Sequence, residues 1–129
     1  MKKITRDILK LLPLAFATYS ISLSATAGDA ATGKAIYNGE GGCAACHGAT
    51  GAGDGVAAAA FNPKPSSFAA AAFRIDTDGD GKTGTDTDLA NIIKNGAAKY
   101  GGNAGMPAKA NYSDSKISNL IAYIRSLKK

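Results

Sequence analysis

Three stretches of the chain carry apolar residues at helical spacing. In the last, Ile117, Leu120, Ile121, Ile124 and Leu127 recur at intervals of three and four and form one stripe. Ser113 is placed as N-cap, Asp114 falls in the first turn, and Lys128 and Lys129 suit the negative end of the helix dipole, so a helix is predicted over Ser113 to Lys129. Leu89, Ile92 and Ile93 mark a second helix: Thr85 caps it, Asp88 stands at N3 in a shorter-armed capping box, and Asn95-Gly96 ends it. Asp29 to Asn38 is a short third helix capped by Asp29. Gly33 in its middle costs about 1 kcal/mol relative to alanine, which a helix tolerates where another must approach closely. No alternating pattern is long enough for a sheet, so the predicted fold class is all-α.

The N-terminus follows a different logic. Lys2, Lys3, Arg6 and Lys10 form a basic start, Leu11 to Leu23 runs without charge, and Ala25-Thr26-Ala27 supplies small residues for a signal peptidase. Residues 1–27 therefore read as a cleaved secretory signal. Pro13 and the polar stretch from Tyr19 to Ser24 favour cleavage over the alternatives of a retained anchor or a buried helix. A domain of 102 residues from Gly28 remains, near the lower limit for a self-sufficient core, and periplasmic localisation is expected. Loss of the signal's four basic groups and one acid lowers the formal charge from +5 to +2. Without a Lys/Arg cluster or interleaved aromatics this makes no case for nucleic acid.

Export implies an oxidising compartment, where two nearby cysteines ordinarily pair. The residue after them changes that reading. Cys43-Ala44-Ala45-Cys46-His47 is a C-x-x-C-H arrangement, in which each thiol adds to one haem vinyl group and the adjacent imidazole reaches the iron from one helical turn. A thioredoxin-like pair would sit in a βαβ pattern that this chain lacks. Zinc would need further ligands, yet His47 is the only histidine and the chain has 2 cysteines. The motif thus specifies one covalent haem c.

Met106 is the only methionine after the signal and stands between Gly105 and Pro107, following Gly101-Gly102-Asn103-Ala104. Off any apolar stripe, it is poorly placed to fill a core gap and well placed as the second axial ligand, with Lys99, Lys109 or an open iron as the alternatives.

Phe61-Asn62-Pro63-Lys64-Pro65-Ser66-Ser67-Phe68 cannot be regular helix and is read as loop. Phe61, Phe68 and Phe73 are expected to line the haem pocket or core, and Arg74 is either an exposed arginine or a partner for a haem propionate. Asp76-Thr77-Asp78-Gly79-Asp80-Gly81 begins like an EF-hand calcium loop, but position 12 is Thr87 rather than glutamate. A solvated Asp/Gly turn is the favoured reading, with an irregular calcium site as the alternative.

From about Gly28 onward, the order of helix, C-x-x-C-H, proline loop, helix, methionine loop and final helix resembles a class I monohaem c-type cytochrome. The resemblance implies a small class I cytochrome c fold, with three or four main helices and long loops wrapped around one covalent haem. It also implies a glycine-aromatic crossing of the first and last helices, here Gly33 and Tyr37 against Leu120 and Tyr123, and a prolyl carbonyl, that of Pro63 or Pro65, accepting the Nδ1–H of His47. Lysines often ring the exposed haem edge in such proteins, which makes Lys64, Lys94, Lys99 and Lys109 docking candidates, although each also fits an ordinary solvated lysine.

With His47 and Met106 on its two faces the iron has no vacant position, and electron transfer is the expected role, without catalytic residues or enzyme activity. Expected partners are redox proteins: a quinol-oxidising complex or dehydrogenase on one side and a terminal oxidase or reductase on the other. The carrier is expected to be monomeric and to have no stable membrane insertion once the signal is removed. The alternative is a haem c subunit held in a larger oxidoreductase complex.

Overall fold

The computed structural model describes residues 27–129, so all but the last residue of the predicted 1–27 signal lies outside the described residues. Four helices follow in order: α1 (Ala30–Asn38), α2 (Ala44–His47), α3 (Asp86–Asn95) and α4 (Asp114–Ser126), with single 3₁₀ turns at Ala58–Ala60 and Ala98–Tyr100. No strand occurs among the described residues, in agreement with the all-α expectation. None of their helices is long and apolar enough to cross a membrane.

The caps act as their residue types dictate. Asp29 accepts from the backbone of Ala31 and Thr32, Ser113 accepts from Lys116, and Thr85 and Asp88 form a reciprocal capping box. α4 is shorter than its pattern predicts. It stops at Ser126, Leu127 becomes the C-cap, and Arg125 is the base of the last turn. Lys128 and Lys129 lie beyond the helix, where the Lys129 N–H bonds the Ala69 carbonyl at 3.1 Å and ties the chain end to the proline loop.

α1 and α4 cross with their backbones in contact. A Cβ on Gly33 would overlap the Asn119 carbonyl and crowd the Tyr123 Cβ, so the glycine is required by the approach. Asn119 faces Gly33 directly, with Tyr123 beside it as the resemblance implied, and Leu120 is buried in the core with 1% exposure. Asn119 also caps the contact by accepting the Asp29 N–H at 2.7 Å. Tyr37 is fully buried beside the crossing, edge-on to Tyr123 with centroids 5.1 Å apart, and its hydroxyl donates to the Gly48 carbonyl at 2.7 Å. The helix crossing is thereby tied to the exit of the C-x-x-C-H turn.

α3 also packs on α4, and Leu89 and Ile93 join Ile117, Leu120, Ile121 and Ile124 in one core. Asp88 is the buried polar joint of this layer. Its Oδ1 accepts from the N–H and hydroxyl of Thr77, and its Oδ2 from the N–H and hydroxyl of Thr85. Burial alone would raise the Asp88 pKa, but these four bonds outweigh it and bring it down to about 2. At the surface Arg125 bonds both Asp86 and the Gly84 carbonyl.

Candidate functional site

The C-x-x-C-H segment forms a single helical turn because the Cys43 carbonyl accepts the His47 N–H at 2.8 Å and the Ala44 carbonyl accepts the Gly48 N–H at 2.9 Å. Segment 53–57 then runs back over it. Gly53, Gly55 and Ala57 donate to the carbonyls of His47, Cys46 and Ala45, which satisfies the orphan acceptors of so short a helix. Gly55 is tightly constrained here, since a Cβ would overlap the Ala45 carbonyl.

Cys43, Cys46, His47 and Met106 all line one cleft of about 570 Å³, although Met106 is far from the motif in sequence. Leu89, Ile93, Leu120 and Ile124 give it an apolar floor continuous with the core. Both cysteines are free thiols, and burial pushes the Cys43 pKa up while nearby Lys109 pulls it down.

His47 is buried, 8% exposed, and its Nδ1 lies 3.0 Å from the Ser66 carbonyl oxygen. A carbonyl only accepts, so Nδ1 carries the proton and the Nε2 lone pair is left for a metal. Burial lowers the His47 pKa. The Ser66 bond opposes this and the Arg74 charge adds to it, so the net effect favours the neutral, ligating form.

The acceptor is a correction to the sequence reading, which assigned it to Pro63 or Pro65. Both prolines line the cleft, but a Cβ added at Gly53 would lie 2.6 Å from the Pro65 oxygen, which shows that this carbonyl is turned away toward the 53–57 segment. The Phe68 and Ala69 N–H groups, bonded to the Gly51 carbonyl at 2.6 and 3.0 Å, set the loop register that brings Ser66 to the ring. Proline stiffness was visible in sequence; which carbonyl it would present was not. Phe61, Phe68 and Phe73 line the cleft as expected, and the Phe68 ring is in addition stacked on His47 at 4.3 Å and 16°.

The methionine loop is closed by its own bonds. Asn103 accepts the Gly105 N–H through its side chain at 2.8 Å and the Met106 N–H through its carbonyl at 3.1 Å. A Cβ on Gly105 would collide with the Phe61 ring, so this glycine lets the methionine and proline loops meet.

Of the other sequence candidates, Lys64, Arg74 and Lys109 line the cleft, and Arg74 donates to the Lys64 carbonyl at 2.8 Å. Lys94 instead pairs with Asp114 at 3.0 Å, and Lys99 lies over the Tyr100 ring at 5.7 Å from its centroid. The carboxylates of Asp76, Asp78 and Asp80 converge within 4.8 Å of one another, away from the cleft. Both Asp76 oxygens accept backbone N–H groups of their own loop, from Gly79 at 2.7 Å and Gly81 at 2.9 Å, which is the geometry of the favoured turn.

The residues present suit a haem of c type. Two free thiols, a neutral imidazole and a thioether share one apolar cleft, and the missing side chain of Gly41 leaves room beside Cys43, where a Cβ would lie 3.2 Å from Sγ.

Comparison with known proteins agrees. Residues 30–128 match the model of the cytochrome c family. The chain belongs to the cytochrome c family, the haem proteins of electron transfer. No curated protein matches it. Among solved structures it is similar to a chain of the Kuenenia stuttgartiensis reducing HAO-like protein complex, with 25% identity and a TM-score of 0.63 over 80% of this chain and 44% of that one. It thus spans less than half the length of that chain.

Proposed function

We propose that this protein is a periplasmic one-electron carrier with a single haem c, attached through Cys43 and Cys46 and ligated by His47 and Met106, exchanging electrons between a respiratory donor and a terminal oxidase or reductase. The observation that carries the reading is the meeting of Cys43, Cys46, His47 and Met106 in one apolar cleft. When bound, haem supplies an iron centre that exchanges one electron at a time. The chain's residues do the rest. Ser66 fixes the His47 tautomer, the Asn103 turn presents Met106, and Leu89, Ile93, Leu120 and Ile124 keep the site dry. With His47 and Met106 both holding the iron, no position would be left for substrate, and the thioether would raise the potential.

The test is spectroscopic. The oxidised protein should show a sulfur-to-iron charge-transfer band that Met106→Ala abolishes, and the reduced protein should bind carbon monoxide only after that substitution. Prompt binding by the wild type would point to an open iron and a different role.

A second reading, a haem subunit of a larger oxidoreductase complex, is favoured by the similarity to a chain of the HAO-like complex. Size-exclusion chromatography of the native protein separates the two: a carrier elutes as a free monomer, a subunit with its enzyme.

A further inference from the structure

Phe68 stands in an unusual relation to the site. Its ring stacks almost parallel on the His47 imidazole, with centroids 4.3 Å apart and planes 16° from coincidence. Two residues earlier in the same segment, the Ser66 carbonyl holds Nδ1 at 3.0 Å. One short loop therefore grips the imidazole twice, at its edge through a hydrogen bond and on its face through a ring.

The two contacts restrict different motions. A hydrogen bond at Nδ1 fixes one point of the ring but leaves it free to rock about the bond axis. A parallel aromatic face blocks that rocking, because tilting would separate the rings on one side and drive them together on the other.

Phe68 is itself well fixed. It is 7% exposed, its N–H is bonded to the Gly51 carbonyl at 2.6 Å, and its ring meets Tyr37 edge-on at 6.3 Å and Phe73 at 6.0 Å. A rigid ring backed on several sides can impose its plane on a neighbour; a mobile one cannot.

We infer that Phe68 is a positioning residue for the haem ligand His47, setting the plane of the imidazole over the cleft by stacking while Ser66 sets its rotation. The inference rests on the reading of His47 as an axial ligand. It departs from the sequence expectation that Phe68 merely lines the pocket or core.

The test uses the ferric holoprotein and the proton NMR pattern of the haem methyl groups, whose spread reports the orientation of the axial imidazole plane. Phe68→Leu, which keeps an apolar side chain but removes the face, is expected to change that pattern and to compress its spread as the ring samples more than one orientation. Phe68→Tyr, which keeps the face, is expected to retain the wild-type pattern. Tyr123→Leu serves as the control for core damage, since Tyr123 is 8% exposed in the same core and does not line the cleft. It should lower the melting temperature and leave the pattern unmoved. If Phe68→Leu does not assemble with haem, Phe68→Met refills the volume without a ring and carries the same expectation. A low-spin wild type whose pattern is unchanged by Phe68→Leu or Phe68→Met overturns the inference alone. A wild type without a low-spin spectrum overturns the ligand reading, and the inference falls with it.

Discussion

Asp88 and Thr77 are joined by two hydrogen bonds to a single oxygen: Oδ1 of the buried carboxylate accepts the Thr77 N–H at 2.6 Å and its hydroxyl at 2.8 Å. Eleven positions separate them, and the intervening residues form the Asp/Gly loop. With the matching pair from Thr85, this holds the loop onto α3, which supplies Leu89, Ile92 and Ile93 to the cleft. Asp88→Ala would leave four donors of the half-buried Thr77 and Thr85 without the acceptor that the fully buried carboxylate supplies. It should destabilise the protein by about 3 kcal/mol or more, at the upper end for buried polar groups. Chemical denaturation of the holoprotein checks this; a loss below about 1 kcal/mol would mean that the donors find other partners.

The same carboxylate gives a sign to the acid response. Its folded pKa is depressed to about 2 from the ordinary 3.8, so the folded state prefers the charged form. That stabilisation is complete above the ordinary value and is lost as the pH falls through 3.8 toward about 2. Asp29 and Asp76, held low by a Thr32 side-chain bond and by Gly81 N–H respectively, act in the same direction, while burial raises Asp78 and opposes them. Stability measured across this window should fall for the wild type and fall less steeply for Asp88→Asn.

Much of this architecture was legible in sequence, for local reasons. Capping residues, the α3 and α4 stripes and the C-x-x-C-H turn depend on neighbours within a few positions, and the structure has them where the pattern put them. What sequence could not resolve depends on register between distant segments. Asn119 meets Gly33 because of the rotation of α4, and Ser66 rather than a proline meets His47 because Gly51 anchors the loop two residues further on. The end of α4 was also misjudged, since Leu127 continues the apolar spacing yet serves as the cap. Met106 lines the cleft, on the irregular loop that its Gly and Pro neighbours predict.

Gly33→Ala tests the crossing of α1 and α4. Helix propensity favours the alanine, by about 1 kcal/mol. Overlap with the Asn119 carbonyl, a backbone atom that cannot swing aside, acts against it. Overpacking of this kind costs about 1–3 kcal/mol or more, so a net loss of stability is expected despite the better helix former. A thermal melt decides, and an increase in melting temperature would show that the helices can separate without penalty.

Tyr37→Phe isolates one buried hydrogen bond. The ring's packing on Tyr123 and Phe68 is retained, while the Gly48 carbonyl loses the hydroxyl that reaches it at 2.7 Å. A loss of about 1–3 kcal/mol is expected, with a haem spectrum close to wild type, because the bond fixes the exit of the turn and not the ligand itself. Equilibrium unfolding and the visible spectrum of the same sample separate the two effects.

Removing the attachment points should have the largest effect. The cleft is floored by Leu89, Ile93, Leu120 and Ile124, which are also members of the hydrophobic core, so without haem the void lies inside the core rather than beside it. Without haem, water enters this open cleft and meets its apolar floor, which weakens the α3–α4 layer. The haem-free double variant Cys43→Ala, Cys46→Ala is therefore expected to lack a cooperative thermal transition and a near-ultraviolet circular dichroism signal, even where helical content persists. A sharp melt of the haem-free chain would show that α1 and α4, with Tyr37 between them, hold the fold without the cofactor.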